Sequence, residues 1–160
     1  MILSTTSNQS FVFDFTIDSE YKQVSLWIEK YEYGELVDEG RNITTEVMEQ
    51  GSIIFTTSQL ETMENQTVFT IGVNDNEGTA SGRSSDLVSD KDSDDRFVVA
   101  GSISEEINIT NEEIVLASIA YSWEEGVSSF SPDFYTNSEH RIKKLEEYEV
   151  AYLLVSKFSK

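Results

Sequence analysis

The chain has 160 residues, with 30 Asp and Glu against 11 Lys and Arg, a net charge of −19 and no cysteine. The missing thiols exclude a disulfide scaffold, a cysteine nucleophile and a cysteine-ligated metal, and so negative a chain repels nucleic acid and anionic lipid before contact forms. Hydrophobic residues at 38% and aromatics at 11% separate it from a disordered acidic tail, and its length suits one domain.

The first ten residues, Met1 to Ser10, are polar after Leu3 and lack the basic and apolar regions of a signal peptide. They read as a flexible tether (1–10), expected to follow a removed N-terminal anchor; a cytosolic protein is the other reading. Residues 11–160 read as the single domain. Phe11, Phe13, Phe15 and Ile17 alternate with Val12, Asp14 and Thr16, which predicts a strand with one apolar face. Val24, Leu26 and Ile28 form the next inward row, and Tyr33-Gly34-Glu35 predicts a tight hairpin turn into Leu36-Val37. Asn42 to Met48, Ser52 to Thr57 and Thr67 to Val73 continue the period of two. Asn74 to Gly78 reads as a hairpin loop, and Thr79 to Ser85 as a weak polar strand or a loop. Arg96 to Ile103 is a strand, Ile107 and Ile109 flank a short one, and Glu113 to Trp123 is apolar and β-branched enough for another. Glu146 to Phe158 is apolar on both faces, as suits a strand in the middle of a stack. Ser138 to Glu147 alone has helical spacing, with Asn137 or Ser138 as its cap.

These elements predict an all-β fold, an antiparallel β-sandwich of about 8–10 strands with one short helix near the C-terminus. An up-and-down barrel is the alternative. The expected core is Phe11, Phe13, Phe15, Leu26, Ile28, Phe55, Phe69, Ile71, Val99, Leu116, Tyr152 and Leu154.

Chemistry is sparse. The nucleophile elbow, the zinc-protease helix and the phosphate-binding loop have no counterpart, and His140, the only histidine, falls in the charged helical segment. The chain therefore reads as non-enzymatic. Asp90, Asp92 and Asp94 alternate along an acidic loop, and three such carboxylates could contribute to a calcium site. The loop lacks the glycine and the final glutamate of an EF-hand, and Lys91 lowers its field, so a solvated charge run with no cofactor is the favoured reading. If Val24, Leu26 and Ile28 point inward, then Trp27, Tyr31 and Tyr33 point outward with Glu29. An exposed aromatic row of this kind is a candidate ligand surface for a glycan. A covering segment or a protein contact would produce the same pattern.

Two stretches carry a resemblance. Residues 23–37, QVSLWIEKYEYGELV, are similar to a hairpin in extracytoplasmic β-sandwich domains of Gram-positive membrane-anchored proteins and lipoproteins. Residues 148–158, YEVAYLLVSKF, resemble the last strand of the same group. The resemblance implies a place at the cell surface, reached through a removed anchor, and a non-enzymatic role. The expectation is thus an extracytoplasmic binding or sensing domain whose partner is a protein or glycan at the cell surface and not a nucleic acid. A carbohydrate-binding module is the alternative, and an intracellular acidic inhibitor that mimics nucleic acid is the third reading.

Overall fold

Successive side chains of an extended chain point to opposite faces, so each period-two run has one face to bury. The computed structural model describes residues 9–39, 43–59, 66–75, 78–87, 97–103, 109, 112–122 and 130–160. They form the strands β1 (Gln9–Thr16), β2 (Gln23–Glu32), β3 (Glu35–Glu39), β4 (Ile43–Glu46), β5 (Gln50–Gln59), β6 (Gln66–Asp75), β7 (Gly78–Leu87), β8 (Phe97–Ser102), β9 (Ile114–Ser122) and β10 (Val150–Ser159). Two short helices, α1 (Pro132–Thr136) and α2 (Ser138–Leu145), lie between β9 and β10.

The smaller sheet has the order β1-β5-β6-β7 and the larger the order β3-β2-β10-β9-β8. Both β3 and β4 pair with β2, at Glu29–Glu32 and at Gln23–Leu26 respectively. All pairings are antiparallel. This is the sandwich the sequence predicts: the strands divide into two sheets and do not close into one barrel.

Aromatic rings connect the sheets. Phe11 stacks on Phe55 at 6.1 Å, Phe55 on Phe69 at 6.1 Å, and Phe69 meets Tyr152 of the opposite sheet at 4.7 Å. Phe15 touches Phe158 edge-on at 5.3 Å. Each such pair adds ~0.5–1.5 kcal/mol beyond the area it buries. Val24, Leu26, Ile28, Ile53, Ile71 and Leu154 fill the space between the rings.

The two-faced β10 has a physical reason. Val150, Tyr152 and Leu154 face the other sheet, whereas Ala151, Leu153 and Val155 face the helices on the outer side. Phe134 of α1, Leu145 of α2 and Tyr148 after it are buried there, against Ala120 and Val115 of β9. The molecule therefore has three layers: small sheet, large sheet and helical cap.

Several sequence expectations are corrected. Among the described residues there are two helices, not one; Pro132 at the first helical position starts α1, which holds only five residues. Asn137 does cap α2, its side chain accepting from the His140 N–H at 3.1 Å. Of the two readings of the polar stretch after Gly78, a weak strand or a loop, the strand holds, as β7. Val99 leaves the inter-sheet core: Val98 and Ala100 pack there, and Val99 turns to the helical cap. The strand β1 starts at Gln9, just inside the stretch read as a tether. Residues 1–8, and the strand read between Ile107 and Ile109 as far as residue 108, lie outside the described residues.

Candidate functional site

The outward row of β2 is where the sequence-derived site residues meet. In register, Trp27 lies beside Val155, Glu29 beside Leu153 and Tyr31 beside Ala151. Parity therefore places Trp27 and Tyr31 on the face away from the inter-sheet core, as expected. The row is nonetheless not open. Both rings pack against the cluster of Phe134, Leu145 and Tyr148 and are half-buried. The cause is the helical cap, which the sequence reading held in view as a covering segment.

Glu29 holds this row together. Its Oε2 accepts from Trp27 Nε1–H at 3.0 Å, and its Oε1 accepts from the Tyr31 hydroxyl at 2.7 Å. Arg141 of α2 supplies positive charge nearby while donating from Nε to the Phe134 carbonyl at 2.9 Å and from Nη2 to the Tyr135 carbonyl at 3.1 Å. These bonds satisfy carbonyls at the end of α1 that the helix itself leaves without partners, and so tie α1 to α2. Burial pushes the Tyr31 phenol up, reinforced by its bond to Glu29 and by that carboxylate's charge, with Arg141 acting in the opposite direction. The Arg141 guanidinium is lowered by burial and supported by Tyr31, Glu29 and Glu113. Tyr148 is pushed up to about 12 by burial and by the charge of Glu147. Sequence reasoning missed the clamp role of Glu29 because parity shows which side chains share a face and not which of them bond.

The far end of the row differs. Tyr33 and Gly34 have φ of 51° and 85°, the left-handed pair of a two-residue type I′ hairpin. Tyr33 donates its N–H to the Tyr148 carbonyl at 3.2 Å. A Cβ on Gly34 would lie 2.6 Å from Cγ of Glu146, so glycine lets the turn seat on the end of α2. Beyond it the side chains are open: Tyr33 is 62% exposed, Leu36 44% and Val37 48%. Every residue of β3 is exposed.

Open depressions of about 470 and 350 Å³ adjoin Asp75, the larger lined also by Lys22, Glu46 and Thr79. The Asp75 carboxylate accepts from the Met48 and Gly78 N–H groups at 3.2 and 3.1 Å, which ties the start of β7 and the segment after β4 to the end of β6. Asp90, Asp92 and Asp94 lie outside the described residues, and among the described residues no group of three His, Cys, Asp or Glu could hold a metal. His140 is exposed on α2, its Nε2 3.3 Å from the Ser131 hydroxyl.

Fold and surface together define an antiparallel β-sandwich with a helical cap on one outer face and an uncovered hairpin end beside it. The chain belongs to the YgaN domain family, whose model matches residues 1–158. No curated protein and no solved structure matches it.

Proposed function

We propose that this chain is a non-enzymatic binding or sensing domain, working outside the cytoplasmic membrane, that docks a partner protein on the open end of the β2–β3 hairpin. The carrying observation is the contrast along one row. Trp27 and Tyr31 are held by Glu29 and by the cap, whereas Tyr33, Leu36 and Val37, close in sequence at the hairpin end, are exposed. Exposed apolar groups that adjoin one another mark contact surfaces better than scattered ones do. A protein partner is favoured over a glycan because the Trp27 indole and the Tyr31 hydroxyl already donate to Glu29, and the cap covers part of their rings. The extracytoplasmic placement is supported by the resemblance of residues 23–37 and 148–158 and by the absence of cysteine.

A photoreactive phenylalanine analogue at Tyr33, in cells of the source organism, tests the docking site. The expected result is a discrete protein adduct from position 33 and none from the same analogue at Val12, which is 61% exposed on the other sheet. Equal adducts from both positions, or none from either, would contradict the reading. Retention of the purified domain on an oligosaccharide gel, abolished by Trp27→Ala, would favour the glycan alternative.

A further inference from the structure

We propose that the occupant of the hairpin end is a basic, extended segment of the partner, which adds as a strand to the side of β3 that no strand among the described residues pairs with. This rests on the docking site proposed above and names the chemistry of what fills it. The strand β3 is the end strand of the larger sheet, and its five residues are all exposed. An end strand presents backbone N–H and C=O groups to which another chain can pair.

Charge identifies the partner. From Glu29 to Glu39 the hairpin has five carboxylates and one lysine. Register sets Glu32 opposite Glu35 and Glu29 opposite Glu39, with Lys30 opposite Asp38. Like charges directly across a ladder destabilise it; on the face that Glu32, Glu35 and Asp38 share, a cationic side chain of a strand added beside β3 lies next to Glu35 and offsets its repulsion from Glu32. Leu36, opposite Tyr31, offers an apolar contact for residues alternating with the cations. The register shift that leaves Val37 unpaired limits the straight part of the edge, so it suits a short strand and resists the open-ended stacking of identical edges. The chain's own −19 charge opposes a second copy as the occupant.

The probe is an end-blocked seven-residue peptide alternating lysine and valine, titrated against the whole chain by calorimetry at about 150 mM salt. The result expected is saturable binding, with amide exchange slowed at Leu36 and Glu39, whose pairs alternate with the hydrogen-bonded pairs of the β2–β3 ladder. Affinity should fall about tenfold or more when alternate backbone nitrogens of the peptide are methylated, which removes ladder donors and keeps the charge. Glu35→Lys/Glu39→Lys should lose about tenfold or more, whereas the charge-matched Asp18→Lys/Glu49→Lys, at exposed positions away from the hairpin, should stay within about twofold. Circular dichroism of both variants should match the parent; if Glu35→Lys/Glu39→Lys does not fold, Glu35→Gln/Glu39→Gln replaces it. Equal losses in the two variants, or indifference to methylation, would show plain charge attraction and overturn the inference. No binding while Tyr33 still yields a protein adduct would overturn the basic-strand inference and leave the docking site standing; no binding and no adduct would overturn both.

Discussion

Glu29 accepts two hydrogen bonds at a half-buried position, so its replacement tests the clamp directly. Glu29→Ala leaves the Trp27 N–H and the Tyr31 hydroxyl without their acceptor, and urea unfolding should show a loss of about 2 kcal/mol. Glu29→Gln keeps one acceptor oxygen and should cost less. A loss under about 0.5 kcal/mol for the alanine variant would mean that water replaces both bonds. The phenols give a pH signature. An unfolded tyrosine ionises near pH 10, and burial holds the folded phenols of Tyr31, Tyr135 and Tyr148 protonated to higher pH, to about 12 for Tyr148. Above pH 10 the unfolded chain therefore binds fewer protons than the folded one. The phenols' contribution to stability is complete below pH 10 and is lost as pH rises through the folded values. Tyr31→Phe should flatten the fall in melting temperature between pH 10 and 12; an unchanged slope would contradict the burial of that hydroxyl. Parity made the outward face of Trp27 and Tyr31 legible in the sequence. The clamp was not legible, because the bonds depend on side-chain rotamers that spacing does not encode.

At the scale of elements, the helical cap decides what is open. Phe134 is fully buried against Phe130 at 4.4 Å and Tyr135 at 5.1 Å. Gly101 leaves room for the Tyr135 hydroxyl, which bonds the buried Ser118 at 2.9 Å. Phe134→Ala should cost ~3–5 kcal/mol and shift tryptophan emission to the red as Trp27 loses cover. Asn137→Ala should cost about 1 kcal/mol through the lost cap. A phenylalanine variant that unfolds at the parent's urea midpoint would show the cap to be loosely attached. Why α1 escaped the sequence reading is plain: five residues begun by proline carry less than two turns of periodicity. Sequence also misassigned Val99, because Val98-Val99-Ala100 is apolar at every position and an unbroken run has no parity. By contrast, the two-faced apolar pattern of β10 correctly implied a layer on either side. The weak reading of β7 followed from its small polar side chains, Gly78 to Ser85, which form a strand because β6 supplies the partner ladder.

For the whole molecule, −19 charges on one small body repel each other over the ~8 Å that physiological salt leaves unscreened. Sodium chloride should raise the melting temperature modestly. Calcium at matched ionic strength should do no more if Asp90, Asp92 and Asp94 are a solvated run; an extra gain that disappears in Asp92→Asn would make that loop a metal site. Sheet division was legible from strand count and turn spacing. The open hairpin end was not, because its exposure depends on how far a cap built from Phe130, Phe134, Leu145 and Tyr148, distant in sequence from β2, extends across the sheet. A chain without cysteine lets the central claim be measured with single thiols. A membrane-impermeant maleimide should label Leu36→Cys and Val12→Cys equally in the purified protein. In intact cells Val12→Cys should still label while Leu36→Cys is protected by its partner. Equal labelling of both in cells would contradict docking at the hairpin, and labelling of neither until the membrane is opened would contradict its place outside.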